Sequence, residues 1–241
     1  MPVHSIRARR LVQSGPGVTI DSVMRDSYLV LMPGFLQRPL RYRYYNATIF
    51  LIAVNVLVFV VTWLAPRAGV YLALIPAYVV QGGAWWQVVT YMFVHGGFQH
   101  IFFNMLALFL FGIQLEQRMG STEFLLYYFF SGVGAGLATV LVNNATGIGG
   151  VPVVGASGAI FGLLLAFASF FPDTRIFIFG ILPIRAPMAV LLYAGIEIVL
   201  QFWNSRSGVA HLTHLAGLAF GYLYLLVRFR INPLSVFFRR R

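Results

Sequence analysis

Three short stretches place polar side chains where the chain is otherwise apolar. HLTHLAGLAFGY carries His211 and His214 one helical turn apart, followed by Gly217 and Gly221. GASG sets Ser157 between Ala156 and Gly158, with Gly155 ahead of them. HGGFQHIFFN carries His95, His100 and Asn104. A serine hydroxyl is a poor nucleophile until a base takes its proton. An imidazole, with an ordinary pKa near 6.5, can take it at neutral pH. Ser157 with His214 as base is therefore one chemistry these residues can do. Attack on a carbonyl makes an oxyanion, and a well-aimed donor lowers that barrier by about 3 kcal/mol. The side chains of His100 and Asn104 and the Ser157 backbone N–H are candidate donors.

An Asp or Glu commonly orients such an imidazole, but none lies near either motif. Glu116, Glu123 and Asp173 fall at the opposite ends of their segments, and Glu197 is remote in sequence. The economical reading is a Ser–His dyad, with the imidazole oriented by packing, Phe161 included. Metal chemistry is the rival. His95, His100, His211 and His214 could offer nitrogens, but there is no HExxH and no adjoining carboxylate, so no metal or other cofactor is expected.

Composition says where this chemistry takes place. Of 241 residues, 59% are hydrophobic and 10% charged, against roughly 25% charged in soluble domains. Mean hydropathy is +0.82. This is the composition of an integral membrane protein. The chain has no Cys, so disulfides and thiolate metal sites are excluded. Its net charge of +11 comes wholly from arginine. Those arginines flank apolar runs, which suits anionic headgroups and topology rather than nucleic acid. No cleavable signal peptide is expected, because the first long apolar run starts near Asn46.

A membrane helix needs about 20 mostly apolar residues. The pattern predicts spans at about 46–65, 98–116, 122–142, 156–172 (short), 186–203 and 209–228. Residues 66–97, broken by Pro66, Pro76, Gly82 and Gly83 and rich in Trp and Tyr, are expected to form an interfacial loop with short helices. Residues 1–45 read as a cytoplasmic arm, 46–230 as the core and 231–241 as a basic cytoplasmic tail. All arginines except Arg67 and Arg206 fall on the N-terminal side of the membrane in this plan, so both termini are expected to be cytoplasmic. Spans two, four and six then run outward to inward. His100, Ser157 and His214 each lie near the outer end of their own helix, so three separate polar islands share one depth. Gly158 and Gly162 on one helix and Gly217 and Gly221 on another form small faces that allow unusually close contact.

With these residues in view, the chain resembles the rhomboid family of intramembrane serine proteases over about residues 46–230. The resemblance rests on Gly155-Ala156-Ser157-Gly158, on His95, His100 and Asn104, on His214, Gly217 and Gly221, and on the Glu116, Arg118, Gly120 turn. It implies an all-α membrane protein, a six-transmembrane-helix bundle with a long interfacial loop between the first two helices. It implies Ser157 as nucleophile, His214 as base, His100 and Asn104 at the oxyanion hole and His95 as a structural helper. His214 is preferred to His211 because only His214 has glycines at +3 and +7. The implied substrates are single-span membrane proteins cut at or near the membrane boundary, without metal or cofactor. The implied location is a plasma membrane, bacterial by its compact plan, with the site facing outward and lipids as the other partners. Two positions depart from the family pattern: Trp86-Gln87 stands where a Trp-Arg pair is usual, and Phe161 where Tyr is frequent.

A catalytically silent member of the same fold would lack dyad residues, which are present here. A channel or transporter would show inverted repeats with paired broken helices, and none is evident. The chemistry needs water, so a polar cavity between the second, fourth and sixth helices is expected, open outward and gated by the 66–97 loop or the fifth helix.

Overall fold

A computed structural model describes Gln37 and residues 40–178, 181–203 and 211–238. Most of the expected arm, the segment around Arg206 and the last three arginines lie outside the described residues. In chain order the elements are α1 (Ala47–Leu64), α2 (Pro66–Leu72), α3 (Pro76–Gly82), α4 (Phe98–Met119), α5 (Ser121–Ala145) and α6 (Ser157–Phe170). A hairpin of β1 (Arg175–Ile178) and β2 (Leu182–Arg185) follows, then α7 (Ala186–Trp203), α8 (His211–Phe229) and α9 (Pro233–Phe237). Helices α1, α4, α5, α7 and α8 are long and apolar enough to cross a membrane, and α6 is apolar but has only 14 residues.

The all-helical expectation needs one correction. Residues 175–178 and 182–185 pair as antiparallel strands, with Arg175 opposite Arg185 and Ile178 opposite Leu182. Ile176, Phe177 and Ile184 suit a pleated ribbon, and Arg185 closes its base on Asp173 at 2.5 Å.

Packing is closest among α5, α6 and α8. Apolar on every side and buried along nearly its whole length, α6 takes the central place. It runs parallel to α8, with Gly158 against Gly217 and Gly162 against Gly221. The contact is backbone on backbone: a Cβ added at Gly217 would fall on the Gly158 carbonyl. On α5 the run Ser131–Gly136 supplies the matching small face, where Ser131 meets Gly162 and Ala135 meets Gly158. Tyr127 Oη donates to the Gly162 carbonyl at 2.7 Å.

Buried carboxylates tie helix ends together. Glu116 accepts from the backbone N–H of Ala47 at 2.6 Å and of Thr48 at 2.9 Å, and from Ser121 Oγ. This satisfies orphan donors in the first turn of α1. Glu123 on α5 accepts from Tyr224 Oη and from Arg228 Nε and Nη2 on α8, each at 2.7 Å. The described part of the expected arm is stitched to the same end: Ser121 N–H donates to the Arg43 carbonyl at 2.7 Å. The expected tail is likewise structured near its start, where Asn232 caps α9 and α9 packs on α6.

The 66–97 connection folds as α2, α3 and a helical turn at Gln87–Thr90. Gln87, where the resemblance leads to an expected arginine, is itself the clasp. Its Nε2 and the Trp86 Nε1 both donate to the Tyr71 carbonyl, at 3.2 and 3.0 Å, and its Oε1 accepts from Ile75 N–H at 3.0 Å. The connection also holds the segment ahead of α6. Leu74 and Val153 exchange backbone hydrogen bonds of 3.0 and 2.8 Å, and Gly155 N–H donates to the Tyr91 carbonyl at 2.9 Å.

Gly217→Ala is expected to destabilise the protein by about 3 kcal/mol or more through overpacking against α6 backbone. Gly82→Ala, where nothing lies within 4 Å, should leave stability unchanged or slightly raised. Thermal unfolding of the two variants in detergent checks the contrast; equal melting temperatures would refute the close-contact account.

Candidate functional site

Ser157 is the first residue of α6, and His214 sits in the first turn of α8. Because the two helices run parallel and touch at glycines, their first turns lie side by side. His214 Nε2 stands 2.7 Å from Ser157 Oγ. The Phe161 ring lies one turn along α6 and stacks on the His214 ring, with centroids 4.5 Å apart and planes within 8°. The ring cannot rotate without leaving this face.

His100 and Asn104 share a face of α4. Asn104 Nδ2 donates to the His100 carbonyl at 2.8 Å, and His100 Nδ1 accepts from Gly96 N–H at 3.3 Å. The His100 ring packs against Gly155, whose φ is +117°. A side chain at Gly155 would be strained in that conformation and would strike the His100 ring. His95 lies ahead of α4 in edge contact with His100, centroids 5.1 Å apart, and its Nδ1 faces the Phe93 carbonyl at 3.3 Å.

The cavity differs from the one expected between the second, fourth and sixth helices. The glycine contact leaves no room between α6 and α8. Instead a cavity of about 390 Å³ opens between α4, α6 and α7, lined by Ser157, Asn104, Phe103, Ile160, Phe161 and Tyr193. Its walls are mostly apolar, and Ser157 and Asn104 bring polarity to it. On the α4 side it is lined by Ala107, Leu110 and Phe111, at the wide π-helical turn Leu108–Gly112.

Sequence reasoning missed Glu197. It was set aside as remote, yet α7 packs on α8 and brings it to both histidines. Its Oε2 lies 2.6 Å from His211 Nδ1, and its Oε1 lies 3.0 Å from His214 Nδ1. The His211 contact has hydrogen-bond geometry; the His214 contact has the distance but an oblique approach. The available signal was an acidic residue inside an otherwise uncharged membrane segment. The three side chains could in principle offer ligands to a metal. Tetrahedral zinc ligands at about 2.0–2.2 Å from the ion would stand roughly 3.3–3.6 Å apart. The 2.6 Å separation of Glu197 and His211 is instead a direct hydrogen bond.

The Rhomboid domain profile matches residues 82–231. The chain is 33% identical over 144 residues to the YdcA protein of Bacillus subtilis, covering 60% of this chain and 67% of that one. It is 34% identical over 155 residues to Rhomboid-like protein 11, chloroplastic, of Arabidopsis thaliana, covering 61% and 54%. It is 37% identical over 86 residues to the rhomboid protease GluP of Bacillus subtilis, covering 36% and 16%. The aligned part is thus about two thirds of YdcA and a smaller share of the other two.

Burial first, and then the neighbouring His100, lower the His95 pKa from 6.5 to about 4. The folded protein therefore resists protonating His95, while the unfolded chain takes the proton near pH 6.5. Its contribution to stability is intact above about pH 6.5, falls as pH drops through the window and levels off below about 4, a change of order 3 kcal/mol. His95→Gln should unfold with a smaller shift in melting temperature between pH 7 and pH 4.5 than the wild type; an equal shift would refute this.

Proposed function

Since the chain belongs to the rhomboid family, we propose that it is a serine endopeptidase that cuts single-span membrane proteins at or near the membrane boundary. Ser157 is the nucleophile and His214 the general base. The observation that carries this reading is the 2.7 Å approach of His214 Nε2 to Ser157 Oγ across two different helices. As Oγ attacks the scissile carbonyl, its proton passes to Nε2. The tetrahedral oxyanion is received by the His100 and Asn104 side chains and the Ser157 N–H. Collapse expels the amine, which leaves with the proton from His214. Water then attacks the acyl-enzyme, with His214 again as base, and releases the carboxylate product. No metal is required at any step.

The family plan makes α6 a sixth span, with α1, α4, α5, α7 and α8 as the other five. Fourteen residues extend about 21 Å, against about 30 Å of hydrocarbon. With the far end of α6 at one boundary, Ser157 is recessed by roughly 9 Å from the other. The arginine distribution puts both termini in the cytoplasm and the site toward the opposite face. A bacterial plasma membrane suits this plan, with residues 1–45 as an arm, 46–230 as the core and the following residues as a basic tail. The apolar cavity between α4, α6 and α7 receives the substrate laterally. Its segment must be locally unwound, because an intact helix keeps its carbonyls in its own hydrogen bonds. Residues 66–97 lie at the interface above the site.

Ser157→Ala and His214→Ala should each lower cleavage of a purified single-span protein in liposomes at least about 10³-fold, with EDTA leaving the wild type unaffected. Cleavage that survives both substitutions would end this reading, and loss of wild-type activity with EDTA would point to a metal instead.

A further inference from the structure

We propose that Glu197 is a positioning residue for His214, so that the site works as a Ser157–His214–Glu197 relay with His211 as its anchor. This inference rests on the serine-protease reading above.

Charged groups within a membrane helix are expensive and need a reason. The other carboxylates among the described residues have one: Glu116 caps α1, Glu123 holds Arg228 and Tyr224, and Asp173 closes the hairpin. Glu197 caps no helix and faces two imidazoles. Around it on α7, Ile196, Ile198, Val199 and Leu200 are all exposed, while Glu197 is 9% exposed. The helix thus turns its one acid inward among lipid-facing neighbours.

An ionised carboxylate only accepts hydrogen bonds. Facing Glu197, both Nδ1 atoms carry their proton. For His214 this leaves the lone pair on Nε2, the nitrogen 2.7 Å from Ser157 Oγ. The acid therefore selects the tautomer that can act as base. His211, only 4% exposed, holds the other oxygen at 2.6 Å and fixes the rotamer of Glu197. The oblique 3.0 Å approach to His214 tightens when the ring becomes an imidazolium, because a full positive charge then faces the carboxylate in a medium of low dielectric. The effect belongs to the transition state, so it enters kcat rather than KM.

The test uses the full-length protein in liposomes with a single-span substrate. Glu197→Gln keeps the shape but can donate as well as accept, and it should lower kcat about 10²-fold or more, with KM within about twofold. Glu197→Asp should recover at least about tenfold of that loss. Unchanged kcat in Glu197→Gln, or a loss confined to KM, would overturn the proposal. Where Glu197→Gln also lowers the melting temperature, the rate of Ser157 labelling by a fluorophosphonate, measured on the folded fraction from size exclusion, decides. A wild-type rate makes Glu197 a structural pin; a rate reduced in Glu197→Gln, and by about tenfold in His211→Gln, supports the relay. Activity lost to a chelator would assign the cluster to a metal and overturn the relay. Ser157→Ala is measured alongside: residual cleavage there defeats the serine reading itself, whatever Glu197 does.

Discussion

The site exists because two helices touch without side chains between them. Gly158 meets Gly217 and Gly162 meets Gly221, so α6 and α8 approach at backbone distance and in the same direction. In hydrocarbon no hydrophobic force drives helices together, and close van der Waals packing of small residues is the main source of association. The same contact does the chemical positioning. Ser157 adjoins the first glycine of one helix, and His214 stands one turn before the first glycine of the other. A parallel register therefore brings oxygen and nitrogen together, and Phe161 fills the space over the ring.

Around this contact, polar ties replace the burial energy that a soluble protein would use. Each buried acid reaches across to another helix: Glu116 from α4 to α1, Glu123 from α5 to α8, Glu197 from α7 to α8. Thr139 and Thr213 add a 2.7 Å hydroxyl pair between α5 and α8. Helix α8 is engaged by three of these four ties along its length. It is held at the site end by Glu197 and Thr139 and at the far end by Glu123. That is the helix carrying the imidazole, and under the proposed function a misplacement of about 1 Å there would cost about 10²-fold in rate.

Much of this was legible in the sequence because it depends on local spacing. Apolar run length gave the long helices to within a few residues, since in lipid the backbone must bond internally. The small faces of α6 and α8 were visible as glycines four apart. What was illegible depends on how helices lie beside one another. Glu197 and His214 lie on different helices, seventeen residues apart, and no spacing rule links them. The sequence places the cavity between α4, α6 and α8, but glycine contact brings α6 onto α8 and the gap beside Ser157 lies toward α7. The hairpin at 175–185 lies between apolar segments and has too few residues for period alone to separate it from a loop. Gln87 shows the converse: its departure from the family pattern was legible, but not that its side-chain amide clasps Tyr71 and Ile75 at once.

Helix α7 joins the last two observations. Tyr193 lines the cavity beside Ser157, and Glu197 stands one turn further along the same helix, against His214. Cavity wall and carboxylate are thus parts of one rigid element. Many of the other α7 side chains around them are exposed, so this helix is less enclosed by protein than α6. A displacement of α7 large enough to widen the cavity acts on the Glu197 contact too. Under the proposed function, the 390 Å³ space is small for an unwound peptide, so admitting one requires some widening. The oblique contact to His214 and the tighter one to His211 then have different consequences. His211 and His214 share α8, so the carboxylate can pivot on His211 while its second oxygen adjusts to the imidazole. A bridging acid held firmly by one partner and loosely by the other suits the wall movement that the proposed function requires.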